Sequence, residues 1–126
     1  MIDARELRIG NIVYFNNYEQ LDIDQIKTLT FIDFEQICYD KHANRFSPIQ
    51  LTQEILEKWC YFIYNGNILK LNDFEIGYEN DDFVYNQFSV RYKKLIILKV
   101  KYLHQLQNLI YALTGEELKV NYEKNI

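Results

Sequence analysis

Few side chains in this sequence could carry covalent chemistry. Cys38, Cys60, Ser47 and Ser89 are the candidate nucleophiles, and His42 and His104 are the imidazoles. A nucleophile needs a base within reach to take its proton, and none of these residues stands in a nucleophile motif. Cys38-x-x-x-His42 is the one local pairing, and it reads as a buried thiol beside a loop histidine. Two Cys without a CxxC spacing and two His cannot frame a zinc site. They fit thiols kept reduced in a cytosol. Asp22-x-Asp24 puts two carboxylates on one face of a strand, where a hard cation could sit. No third ligand accompanies them, so the pair reads as the wet side of an amphipathic strand. With glycine only at 10, 66, 77 and 115, a glycine-rich phosphate cradle is excluded. The expectation is a protein that is not an enzyme, with no catalytic residue, no metal and no cofactor.

Binding chemistry is easier to find. The 126 residues carry a formal net charge of −4, which argues against a generic duplex-DNA binder. The charge is segregated. Glu19 to Asp40 holds six acids against Lys27, and Asp73 to Asp82 holds five acids and no base, with Asp81 and Asp82 at a turn. Phe88 to His104 holds five bases and no acid. Within it, Phe88-Ser89-Val90-Arg91-Tyr92-Lys93-Lys94 interleaves aromatic and basic residues, the mixture that single-stranded nucleic acid favours. As a plain strand it would face Phe88, Val90 and Tyr92 to the core and Arg91 and Lys93 to water. Near the C-terminus, Leu103, Leu106, Leu109, Ile110 and Leu113 form a helical apolar stripe. His104, Gln105, Gln107, Asn108 and Tyr111 lie off it, as a polar face open to a partner. On that reading Gln107→Ala and Asn108→Ala are near neutral for stability. The candidate contact residues are therefore Asp22, Asp24, Asp81, Asp82, Arg91, Tyr92, Lys93, Lys94, His104, Gln107, Asn108 and Tyr111.

The elements that must position them read as follows. A strand covers Leu7 to Phe15 with a bend at Gly10-Asn11, and alternation marks another over Leu21 to Ile26. β character continues from Thr28 to Tyr39, and Lys41 to Ser47 reads as loop. Thr52 is a good N-cap for a short helix over about 52 to 61, and Leu51 and Leu56 could form a hydrophobic staple. Strands follow at Asn67–Leu71, Phe74–Tyr78, Phe83–Lys94 and Leu95–Lys101. A helix then runs from Tyr102 or Leu103 to Leu113, stopped by Thr114-Gly115. Strands, helix, strands, helix is an α+β pattern with an antiparallel sheet or a small barrel, a middle helix and a C-terminal helix. A chain this long buries about two-thirds of its unfolded surface, enough for one domain. The expected ordered core spans about 5–118, with a tail from 119. The charged N-terminus and the short apolar run Leu95–Leu98 predict a cytoplasmic protein.

Three segments together resemble a family of small, mostly uncharacterised phage and prophage proteins of Bacteroidetes: Leu7–Val13 (LRIGNIV), Pro48–Leu56 (PIQLTQEIL) and Tyr102–Leu118 (YLHQLQNLIYALTGEEL). Similar proteins carry Gly-Phe after the middle helix, where this chain has Cys60-Tyr61-Phe62. Asn65 to Lys101 brings no resemblance. The family transfers no catalytic residue. It implies a phage setting, in which small acidic proteins commonly act by binding. The expectation is a non-enzymatic interaction protein, an anti-CRISPR-like inhibitor of a host defence nuclease. Its partner would be a host protein or ribonucleoprotein, such as a CRISPR effector or its guide RNA, with no membrane partner. A phage structural or morphogenesis accessory protein, and a single-stranded nucleic-acid-binding regulator, are the alternatives.

Overall fold

The computed structural model describes residues 4–16, 24–33, 35, 46–66, 68–79 and 87–122. Alternating apolar and polar residues build two antiparallel sheets. The smaller has the order β2-β1-β3, from β1 (Ile12–Asn16), β2 (Asp24–Thr28) and β3 (Phe46–Ser47). The larger is a meander, β4-β5-β6-β7-β8, from β4 (Ile63–Asn65), β5 (Ile68–Leu71), β6 (Phe74–Glu79), β7 (Gln87–Tyr92) and β8 (Ile96–Val100). Two helices, α1 (Gln53–Lys58) and α2 (Leu103–Thr114), complete an α+β fold. Among the described residues neither sheet closes into a barrel. Among the described residues, no helix is long and apolar enough to cross a membrane.

One face of the meander is the floor of the main core. Leu69, Phe74, Ile76, Phe88, Val90 and Val100 point into it at the two-residue period of a strand. Ile55 and Leu56 of α1, Trp59 after it, and Leu103, Leu106 and Ile110 of α2 cover that face. A smaller core of Leu7, Val13, Leu29 and Phe46 lies under the three-stranded sheet. The opposite face of the meander is set by the same alternation and carries Lys70, Glu75, Ser89, Arg91 and Lys99.

Local chemistry fixes the ends. Thr52 caps α1, its hydroxyl accepting the Ile55 N–H at 3.1 Å. α1 then stops through Tyr61, a non-glycine residue at φ +65°, and Phe62 N–H donates to the Leu56 carbonyl at 2.9 Å. Gly115, at φ +74°, closes α2 as its sequence context requires.

Several boundaries differ from the sequence reading. β1 starts at Ile12 because Gly10 sits at φ +98° in a turn, with its N–H on the Leu29 carbonyl. Residues 31–33 form a helical turn rather than a strand. There the Asp33 carboxylate accepts from the Thr30 N–H and hydroxyl, both at 2.9 Å, and pairs with Lys27 at 2.7 Å. Residues 46–47, read as loop, pair with β1. The long strand drawn to Lys94 ends at Tyr92, since Lys93 and Lys94 both take left-handed φ, +51° and +61°. The expected tail is tied down as far as Tyr122. Leu118 is buried, Asn121 N–H donates to the Trp59 carbonyl at 2.9 Å, and the Tyr122 ring meets Trp59 edge-on.

Candidate functional site

The polar side of α2 does not face solvent as the sequence suggested; much of it is spent on the N-terminal segment. Gln107 is buried. Its Oε1 accepts the Ile12 N–H at 2.8 Å and its Nε2 donates to the Gly10 carbonyl at 3.2 Å. Asn108 Oδ1 accepts from Asn11 Nδ2 at 2.8 Å and from Arg8 Nε at 3.1 Å, while its Nδ2 donates to the Glu6 carbonyl at 2.7 Å. Arg8 completes the clasp with a bidentate pair to Glu117, at 2.6 and 2.7 Å, and lays its guanidinium over the Tyr111 ring at 4.3 Å. Gln105 turns back to accept the N–H groups of Lys101 and Tyr102 at the start of the helix. Buried backbone donors need such partners, so these amides hold the fold rather than wait for a ligand.

His104 is also buried, stacked on Tyr102, with Nε2 3.8 Å from a Glu6 carboxylate oxygen. Burial holds its imidazole below the usual histidine range, against the upward pull of Glu6. The expectation that His104 and Gln107 present themselves to a partner is therefore corrected: neither reaches the surface. Asn108 is half-buried in the clasp, and Tyr111 remains exposed beneath the Arg8 guanidinium.

Of the acidic candidates, Asp22, Asp81 and Asp82 lie outside the described residues. Asp24 is described only as the backbone end of β2, paired with Asn16. Cys38 and His42 also lie outside. The Cys60 thiol is buried, and burial pushes it up to about 12, far from a thiolate at neutral pH. It lies at a cleft of about 520 Å³ between the end of α2 and the β5–β6 turn, lined also by Tyr61, Phe74, Tyr92, Glu117 and Lys119.

The basic candidates stay at the surface. Arg91, Lys93 and Lys94 are exposed. The register sets Lys70 opposite Glu75, Glu75 opposite Arg91, and Ser89 opposite both Gly77 and Lys99. Arg91 and Lys99 thus sit diagonally on the outward face of β7 and β8. Lys94 follows in the turn, and Lys93 leans over the Tyr92 ring at 5.3 Å. Tyr92 itself faces the other way, its ring 4.7 Å from Phe74. The interleaved segment therefore turns Phe88 and Tyr92 to the core and Arg91 outward, as the plain-strand alternative required, while Lys93 reaches back from the turn to the Tyr92 ring.

Reasoning from sequence missed Arg8, Asn11 and Glu117 as partners of α2, and Lys70 as part of the basic face. The clasp joins residues about a hundred positions apart, which no local pattern reveals. No family model, no curated protein and no solved structure matches the chain.

Proposed function

We propose that the protein acts by binding, as a phage or prophage interaction protein that inhibits a host defence nuclease through the effector or its guide-RNA complex. The observation that supports this reading is the segregation of charge. In an acidic chain, the segment from Gln87 to Gly115 contains no acid, and its hairpin turns Arg91 and Lys99 away from the core. Such a surface steers association with a polyanionic assembly. The amides of α2, by contrast, are committed to the clasp. The phage setting comes from the resemblance of three segments.

The test is protection of a targeted plasmid. Expressed in a bacterium whose CRISPR nuclease cleaves that plasmid, the protein should raise transformation towards the level of an untargeted one. The Arg91, Lys93 and Lys94 triple Ala variant should lose the effect while remaining folded. No protection against any effector type tested, with folded protein present, removes the inhibitor reading. Co-sedimentation with phage particles would then assign a morphogenesis role.

A further inference from the structure

We propose that the cleft between the end of α2 and the β5–β6 turn binds a free amino acid with a large apolar side chain. The side chain enters the cleft, and the ammonium and carboxylate stay at its rim. This site goes beyond the interaction function above and stands apart from it.

The interior calls for an apolar body. The cleft holds about 520 Å³, within the range of small-ligand pockets, about 300–1,000 Å³. Phe74, Ile110 and Leu118 line it with buried apolar side chains. Cys60 joins them, and burial keeps its thiol neutral. Apolar surface brought here leaves water for an uncharged wall.

The rim is charged in both signs. Asp73 borders it from the β5–β6 turn, and Glu116, Glu117 and Lys119 border it from the segment after α2; all four are exposed. Glu117 is spent on Arg8. Among the described residues, the side chains of Asp73, Glu116 and Lys119 make no ion pair. Lys93 stands nearby, its ammonium over the Tyr92 ring at 5.3 Å. Carboxylates and ammonium groups thus share one cleft without neutralising each other. A plain cation would meet Lys119 and Lys93, and a plain anion would meet Asp73 and Glu116. A ligand with one charge of each sign complements both, through charge-assisted hydrogen bonds. An α-amino acid carries that pair on the carbon that bears its side chain.

The walls are fixed by the chain itself. The Asp73 carbonyl accepts the Lys93 N–H at 2.9 Å. The Thr114 hydroxyl donates to the Ile110 carbonyl at 2.7 Å and accepts the Glu116 N–H at 3.1 Å. The Arg8–Glu117 pair holds the residue after it. Tyr61 and Asn72 line the cleft in left-handed backbone, at φ +65° and +53°. Strain of this kind collects at ligand clamps, where the surroundings enforce it. A preformed site loses little ordering entropy on binding.

The experiment is an amide-resolved NMR titration of the full chain with L-phenylalanine. Three analogues accompany it: N-acetyl-L-phenylalanine lacks the ammonium, phenethylamine lacks the carboxylate, and glycine lacks the apolar body. L-Phenylalanine should shift the amides of residues 72–74 and 116–119. The two aromatic analogues should bind at least about tenfold more weakly, the loss of one charge-assisted contact, and glycine should shift nothing. Lys119→Ala should weaken L-phenylalanine about tenfold and leave phenethylamine no weaker. The Asp73→Asn/Glu116→Gln double variant should weaken L-phenylalanine and leave N-acetyl-L-phenylalanine no weaker. Both variants change exposed side chains and should melt like the parent. Absence of shifts at millimolar L-phenylalanine overturns the inference, as do shifts away from the cleft. Equal affinity for phenethylamine or for N-acetyl-L-phenylalanine also overturns it, because one charge would then suffice.

Discussion

Gln107→Ala tests whether the α2 clasp carries stability. The side chain is about 1% exposed, and its amide serves two backbone groups of the N-terminal turn. Truncation strands the Ile12 N–H, a buried donor whose loss of partner costs about 1–3 kcal/mol. It removes the net gain of the Gly10 bond, about 0.5–1.5 kcal/mol. It also removes one buried methylene, about 0.8 kcal/mol. Together these give about 2–5 kcal/mol, on the order of 10–20 °C in melting temperature for a domain of this size. The assay is thermal melting by circular dichroism, with exposed Gln53→Ala as the neutral control. Two further variants separate the contributions. Gln107→Leu restores volume but not the bonds and should stay destabilised. Gln107→Glu keeps an acceptor for Ile12 but sets a carboxylate oxygen against the Gly10 carbonyl, so it should recover as the pH falls and the carboxyl gains a proton. If Gln107→Ala melted within about 2 °C of the parent, the clasp would be incidental and α2 would be held by its apolar stripe alone.

Two other predictions follow from backbone and burial. Tyr61 holds φ +65° at the exit of α1, where an L side chain costs about 1–2 kcal/mol. After glycine's own entropy cost, Tyr61→Gly should stabilise by about 0.5–1 kcal/mol in urea titration, and a loss of stability would mean that the Tyr61 ring contributes more than the strain costs. His104 resists protonation in the folded chain, so the unfolded chain binds that proton more readily. Its contribution is complete above about pH 6.5, the ordinary histidine value, and is lost as the pH falls from there through the lower folded value. Urea midpoints should therefore drop between about pH 7 and pH 5, and His104→Leu should flatten that drop; an unchanged slope would place the titration elsewhere.

What was legible in the sequence depended on whether the signal was local. The hairpins and the two helices announced themselves through alternation, helical spacing, the Thr52 cap and the Gly115 stop. Gln107 shows a different limit. It stands four residues after Leu103 and three before Ile110, both buried, so helical spacing places it in the middle of the inward face. Residue type hid what spacing told, because an amide was assigned to water. Leu109 erred the opposite way: apolar, but only half-buried. The break between β7 and β8 was read at Lys94–Leu95, but its turn residues were given to the strands because Lys93-Lys94-Leu95 offers neither Gly nor Asn, and the two lysines take left-handed φ without the residues that favour it. The clasp was out of reach for a third reason. Its halves meet only once the sheets have placed the ends of the chain together.

The three segments 7–13, 48–56 and 102–118 meet in the fold. Residues 7–13 and 102–118 are joined by Arg8, Asn11, Gln107, Asn108 and Glu117. Residues 48–56 are joined to the start of α2 by Leu103 N–H on the Ile49 carbonyl at 2.8 Å and by Leu51 N–H on the Lys101 carbonyl at 3.0 Å. Such residues repeat between proteins when a scaffold repeats, because each satisfies a buried backbone group or caps a helix. They say little about a partner. The basic hairpin lies instead outside these three segments, between Asn65 and Lys101. Two proteins that share the three segments should therefore share this clasp and still differ in what they bind. The division can be tested by exchange: replacing Arg91, Lys93 and Lys94 together by Gln should leave the melting temperature close to the parent's, since all three are exposed, while abolishing plasmid protection. A large loss of stability in that variant would show that scaffold and surface are not separable, and that the outward face of the meander serves the fold.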